Sequence, residues 1–346
     1  MQIFVCANQS ASEEGNQTMT RSFVRTGVAL AAVVATAAMS AGPIAAQGEF
    51  TYEDMTVGFI QTGSESGWRA ANTASFKETA EQLGIDLKFY DAQNKLENQV
   101  SAFHQFNQDP EVDVIILAAL DVTGYDEVLQ EAKDNGKIVV LEDRRIDADP
   151  ELYATYIGSD FNLEGQKAAL AMCDLLADSE SKKIVEITGA VGASAAIDRA
   201  AGFREAMGEC GIEIVDSQTG NWGVAESKAV MEAFLKNHDD IVGVFGHNDE
   251  EAIGAVQAIE VAGLVPGEDI KVIGVDATAH GFEYLIPGKI NTLIECNPLL
   301  GPQVYEAALA AMNGEELPTW VPSQEGEFHA SQGADELTAI LETRKY

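Results

Sequence analysis

From position 56 onward, short β-branched apolar runs alternate with longer stretches whose apolar positions recur at helical spacing. Runs at Thr56–Gln61, 85–90, 112–118 and Ile138–Glu142 read as strands of five to seven residues. Helical patterns lie between them at about 66–83, 94–108 and 123–135, several closed by a glycine such as Gly84 or Gly136. The uninterrupted run Val114, Ile115, Ile116, Leu117 is what a strand covered by helices on both faces requires. A polar pause at 147–150, an extended run at 153–158 and a helix at about 161–177 follow. The βα period then resumes, with strands at Lys183–Thr188, 212–217, 241–245, 271–275 and 291–295. Helices are expected between them at about 194–209, 223–237, 249–263 and 278–286. The pattern predicts an α/β fold of two doubly wound parallel-sheet lobes with right-handed crossovers. A helix at about 300–313, a strand near 320–322 and a last helix near 333–343 fit a chain that returns to the first lobe and crosses again.

The first fifty residues have a different grammar. Arg21 and Arg25 precede an apolar run at 27–41, and small residues continue through Ala45 and Ala46. That is the layout of a secretory signal peptide, and the run is shorter than the roughly 20 residues of a membrane span. The polar residues 1–18 suggest Met19 as the start, and cleavage near Ala46 would release a chain beginning at Gln47. No cysteine lies near that site to carry a lipid, so a product free in the periplasm is expected. Beyond residue 46 the cysteines are Cys173, Cys210 and Cys296. A Cys173–Cys210 bond and three buried thiols both remain open.

Charge changes the picture by exclusion. With 21 Lys+Arg against 56 Asp+Glu, the formal charge is −35. Removal of residues 1–46 takes away two arginines and two glutamates and leaves that charge unchanged. Such a chain is a very poor partner for polyanionic nucleic acid or anionic lipid, and its carboxylate surplus suits a salty medium.

Ligands of doubly wound sheets bind beyond the carboxyl ends of the strands. The residues there are Gly63, Ser64, Glu65, Ser66, Gly67, Trp68 and Arg69 after the first strand, and Glu142, Asp143, Arg144 and Arg145 after the fourth. The second half contributes the stretch 189–199 ending in Ser194, Asp198 and Arg199, then His247, Asn248 and Asp249, then Asp276, Ala277 and Thr278. Of the six arginines after residue 46, four (Arg69, Arg144, Arg145 and Arg199) occupy these strand ends. Surface ion pairing would account for any one of them; four in this pattern point to a shared cleft. Arg offers a rigid fork of donors, Asp and Glu accept, and an indole such as Trp68 can lie against the apolar face of a sugar ring.

Catalytic patterns are weak. Gly63 to Gly67 has the outline of a nucleophile elbow with Glu65 where the serine must stand. The Gly189/Gly192 loop lacks the dinucleotide and Walker fingerprints. No histidine pair has metal-ligand spacing, and His247 beside Asp249 reads as polar scaffolding. The residues call for no cofactor, no metal and no catalytic group.

In the order and spacing of Asp143-Arg144, Ser194 to Arg199, Asn248-Asp249 and Val275-Asp276, the chain resembles periplasmic sugar-binding proteins of ABC transporters of the ribose-binding type, over about residues 56–322. Glu65, Trp68 and Arg69, with the stretch 191–199 and His247 to Asp249, look most like the galactofuranose-binding branch. The resemblance implies a type I periplasmic binding protein: two lobes joined by three hinge crossovers that close on one monosaccharide. The lobes would comprise 47–158 plus about 297–321, and 159–296 plus about 322–346. It implies sugar contacts from Glu65, Trp68, Arg69, Asp143 and Arg144 in the first lobe and from Arg199, Asn248 and Asp276 in the second. It further implies a monomer that is not an enzyme and that delivers its sugar to a membrane permease. A sugar sensor serving a chemoreceptor or kinase would use the same closed form, and a secreted carbohydrate-active enzyme is the alternative of another class. Two residues depart from the family pattern: Ala277 stands where many relatives carry glycine, and Glu295 where ribose binders use an amide.

Overall fold

The computed structural model describes residues 49–64 and 66–346. The signal segment and cleavage site expected within residues 1–46, and Glu65, lie outside the described residues.

Two six-stranded sheets organise the chain. The first contains β1 (Thr56–Gln61), β2 (Asp86–Asp91), β3 (Val114–Leu117), β4 (Ile138–Glu142), β5 (Thr155–Gly158) and β11 (Trp320–Pro322). The second contains β6 (Lys183–Thr188), β7 (Glu213–Thr219), β8 (Gly243–Gly246), β9 (Lys271–Asp276), β10 (Thr292–Glu295) and β12 (Glu327–His329). Their orders are β11-β5-β4-β3-β1-β2 and β12-β10-β9-β8-β6-β7. Each winds outward in both directions from its first strand, which puts a topological switch point beside β1 and β6. All pairings are parallel except β12 against β10, a short antiparallel edge that the βα pattern does not announce.

The helices are α1 (Gly67–Leu83), α2 (Leu96–Gln108), α3 (Asp126–Asp134), α4 (Phe161–Leu175), α5 (Ser194–Ala206), α6 (Val224–Asn237), α7 (Asp249–Val261), α8 (Ala279–Leu285), α9 (Gly301–Met312) and α10 (Ala334–Thr343). Among the described residues, no helix is long and apolar enough to cross a membrane. All four residues of β3 are buried, as its continuous apolar run requires. Helix α9 is the returning segment: Tyr305 and Val304 join Phe59 and Phe76 in the first core, and the Tyr305 hydroxyl donates to the Phe76 carbonyl. Cys173 on α4 and Cys210, which ends the turn after α5, form a disulfide, and Cys296 is a buried free thiol.

Three crossovers join the halves, after β5, after β10 and between β11 and β12. One carboxylate ties them together. Glu325, on the third, accepts from the Ser159 hydroxyl on the first and, at 3.2 Å, from the Asn297 backbone N–H on the second. It also accepts from its neighbour Ser323 at 2.7 Å.

Candidate functional site

Helix starts at the carboxyl ends of the strands deliver most of the polar groups to the cleft. Ser66 caps α1 by accepting from the Arg69 N–H at 3.1 Å, which fixes the turn carrying Trp68 and Arg69. Asn248 caps α7 by accepting from the Glu251 N–H at 2.8 Å. Asp143 follows β4 with φ +59°, and Asp276 ends β9 with φ +105°. Both adopt a left-handed backbone that costs energy in a non-glycine residue and recurs at functional sites. Ala277 follows at φ +56°, a conformation that glycine would adopt without strain and that a buried alanine holds here. The Asp249 carboxylate pins that turn by accepting from the N–H and hydroxyl of Thr278 at 2.6 and 2.7 Å.

Every described residue expected to contact the ligand borders one cavity between the sheets: Trp68, Arg69, Asp143, Arg144, Arg199, Asn248 and Asp276. Ser66, Phe161, Ala195, Trp222 and Cys296 complete its lining. The free volume among them is about 30 Å³, room for about two waters by the usual measure. On the first-lobe wall the charged groups meet one another. Arg69 donates to Asp143 at 2.5 Å and lies over the Trp68 ring, 4.6 Å from its centre. The Arg144 guanidinium stands 3.6 Å from the Asp143 carboxylate and faces the Trp222 ring at 5.6 Å.

On the opposite wall Arg199 is held from behind. It donates to the Glu164 carboxylate and to the His247 carbonyl, each at 2.6 Å, and stands 3.7 Å from Asp276. Burial, opposed by Arg199 and reinforced by Asp249 and Glu250, pushes the Asp276 carboxyl well above the usual range. His247 itself is buried scaffolding, its ring against Glu186 at 3.1 Å. Burial lowers its pKa, although Glu186 opposes the shift.

Trp222, Phe161 and Cys296 are lining residues that the sequence pattern did not single out. For Trp222 a signal was present: like Trp68, it stands just before or at the start of a helix that follows a strand. Two further expectations find their place. Glu295 does not line the cavity; it accepts from Arg344 and the Tyr346 hydroxyl, both at 2.7 Å, and anchors the end of the chain. Arg145 leaves the cavity and forms a two-bond pair with Asp198 of α5, both bonds at 2.8 Å. That pair joins the halves across the cleft mouth. The Val122 N–H to Gly192 carbonyl bond at 3.1 Å and the Gly67 N–H to Glu250 bond at 2.9 Å also join them. The Trp68 indole completes the set by donating to the Cys296 carbonyl at 2.7 Å. The structure is thus the closed arrangement of the two halves.

A family model for the periplasmic binding protein domain matches residues 57–316. The chain belongs to the periplasmic binding protein family. It is 42% identical, over 73% of its length and 80% of the relative's, to the galactofuranose-binding protein YtfQ of Escherichia coli. A solved structure from Mycobacterium smegmatis in complex with β-D-fucofuranose is 44% identical, with a TM-score of 0.78 over 84% of this chain and 98% of that one. The binding component of the arabinose ABC transporter from Shewanella sp. ANA-3, bound to α- and β-L-arabinofuranose, is 41% identical. It has the same TM-score, over 84% of this chain and 99% of that one. Members of the family act outside the cytoplasm, and the two lobes and three crossovers described above are the family's type I architecture.

Proposed function

We propose that the protein captures one monosaccharide in its furanose form between the two lobes and presents the closed form to an ABC permease. The observation that carries this reading is the cavity between the lobes with carboxylates and guanidinium groups on facing walls and the aromatic rings of Trp68, Phe161 and Trp222 around it. Sugar hydroxyls both donate and accept. They satisfy Asp143 and Asp276 as acceptors and Arg69, Arg144, Arg199 and Asn248 as donors, while the ring's apolar face lies on an indole. Glu65, by its place between Ser64 and Ser66 at the same strand end, would add an acceptor. The relatives that bind galactofuranose, fucofuranose and arabinofuranose support the five-membered ring as the ligand form.

With about 30 Å³ free, a sugar enters only when the lobes part. It then meets Arg69, Asp143 and Arg144 on one wall and Arg199, Asn248 and Asp276 on the other, and by bridging the two makes closure depend on its presence. The lobes would hinge at the segments around Ser159, Asn297 and Glu325, with 47–158 plus 297–321 moving against the rest. Nothing in this cycle breaks a bond of the sugar, and the released molecule works as a monomer in the periplasm.

Calorimetric titration with D-galactose, D-fucose, L-arabinose, D-ribose and D-fructose tests the reading. Saturable one-to-one binding of a sugar that is recovered unchanged is expected. Binding of none of them, or recovery of a converted product, overturns it.

A further inference from the structure

A second cavity of about 410 Å³ opens directly outside the first and shares Arg144 and Trp222 with it. That volume is within the roughly 300–1,000 Å³ of ordinary small-molecule sites. The inner cavity holds less than a tenth of it. Its first-lobe wall is Asn94, Leu96, Leu120 and Asp121; its second-lobe wall is Ala190, Val191, Thr219, Asn221 and Trp222. These come from the loops after β2, β3, β6 and β7, so the same strand-end logic that builds the inner cavity builds the outer one.

Both walls contain strained backbone. Gln93 and Asn94 have φ +55°, and Asn221 and Trp222 have φ +53° and +64°. Non-glycine residues in this region cost energy and are held where the surroundings over-determine them. The Trp222 ring rests against Gly189, where a Cβ would come within 1.9 Å of it, so the loop must carry glycine there for the indole to form the partition. The Trp222 indole nitrogen is buried without a hydrogen-bond partner. It is a donor standing at the boundary of the two cavities.

We infer that this outer cavity is a second saccharide subsite, so that the protein accepts a furanose-containing disaccharide, with its second ring in the outer cavity, as well as the free sugar. The inference rests on the sugar-binding reading above. Its chemistry is that of a neutral ring. Asn94, Asp121 and Asn221 offer amide and carboxylate partners for sugar hydroxyls, and Leu96, Leu120 and Val191 offer apolar contact to a ring face. The Thr219 hydroxyl holds the loop by donating to the Gly189 carbonyl and accepting from the Asn221 N–H. Arg144 is the one cation in the lining and Asp121 opposes it, an arrangement that disfavours phosphorylated sugars.

The test uses two pairs of probes: D-galactose with a galactofuranosyl-galactose disaccharide, and L-arabinose with an arabinofuranosyl-arabinose disaccharide. Wild type and the variants Val191→Trp and Val191→Ser are titrated by calorimetry. Val191 is exposed at 86%, so either side chain is compatible with the fold. For the pair whose monosaccharide binds, wild type is expected to bind the disaccharide within tenfold of the monosaccharide or more tightly. Val191→Trp, which fills the outer cavity, should weaken the disaccharide at least tenfold and the monosaccharide less than twofold, while Val191→Ser leaves both within threefold. A monosaccharide that binds wild type while its disaccharide binds a hundredfold more weakly overturns the second subsite and leaves the sugar-binding reading intact. So does a disaccharide affinity that Val191→Trp does not change. Failure of both monosaccharides overturns the second subsite for these furanosides, and it overturns the sugar-binding reading as well only when D-fucose, D-ribose and D-fructose also fail to bind.

Discussion

Trp68 and Trp222 reach the cavity by the same local device, a strand end followed by a helix start, yet only Trp68 stands out in the sequence. Gly63, Gly67 and Arg69 frame it there. Gly220 and Gly223 flank Asn221 and Trp222 in the same way, but β7 continues to Thr219, beyond the apolar run, so the strand end that they follow is not marked by the apolar pattern. The polar residues were legible because strand ends in doubly wound sheets converge by construction. Phe161 and Cys296 were not, since they sit at crossovers whose path depends on which strands become neighbours. Arg199 gives the sharpest residue-level test. Its Ala variant removes charge-assisted bonds on the second-lobe wall and is expected to lower sugar affinity about ten- to a hundredfold. Arg204→Ala should leave affinity within twofold, because Arg204 pairs with Glu186 outside the cavity. Equal losses in the two variants, measured by titration with melting curves as a check on folding, would remove Arg199 from the site.

Glu251 shows how a residue beneath the site sets a pH response. It accepts from the Trp222 N–H at 3.0 Å, its other carboxyl oxygen has no partner, and burial raises its pKa from 4.5 to about 8. The folded state therefore holds this proton more tightly than the unfolded chain does. Its contribution to stability is complete below about pH 4.5 and is lost as pH rises towards 8. Glu251→Gln keeps an acceptor for the Trp222 N–H and removes the titration. Urea unfolding at pH 5 and pH 8 should show the variant gaining stability relative to wild type at the higher pH, by at most about 1.4 kcal/mol per pH unit. A difference between the two proteins that does not change with pH would show that Glu251 is charged in the folded state throughout.

At the scale of elements, the βα period fixed the strands of both sheets to within a few residues, because buried parallel strands and amphipathic helices have distinct periods. The antiparallel β12 escaped, being three residues long and lacking an alternating pattern of its own. The loops that close across the cleft also escaped, since their contacts exist only in the closed arrangement. Gly192 makes the most demanding of these contacts. It has φ +92°, and a Cβ there would lie 2.3 Å from the Asp121 carboxylate of the opposite lobe. Gly192→Ala is therefore expected to favour the open form and to weaken sugar binding at least tenfold, with sugar-induced compaction in small-angle scattering reduced in parallel. The double variant Gly192→Ala, Asp121→Gly should recover part of the affinity, because it removes the clash and leaves only the local backbone strain. Absence of any recovery would mean that the strain in the loop, and not closure, is responsible.

The charge of −35 belongs to the whole molecule. Closure brings two acidic lobes together, and their repulsion acts over a Debye length of about 10 Å at 0.1 M salt but only about 3 Å at 1 M. A neutral sugar has no charge to screen, so the salt dependence of its binding reports on the protein alone. Salt also weakens the Arg145–Asp198 pair across the cleft mouth. Arg145 there is 38% exposed, and a pair of that kind contributes at most about 1 kcal/mol. Repulsion among carboxylates spread over both lobes outweighs one such pair, so sugar affinity and melting temperature are both expected to rise between 0.05 and 1 M salt (roughly the span over which screening becomes short-ranged). Sodium chloride and choline chloride should act alike, since screening depends on ionic strength and not on the cation. The Arg145→Ala variant, with no latch to lose, should show the steeper rise. An affinity that falls with salt would make the cross-lobe ion pairs the dominant electrostatic term in closure, and a response to sodium without choline would replace general screening by binding of the cation.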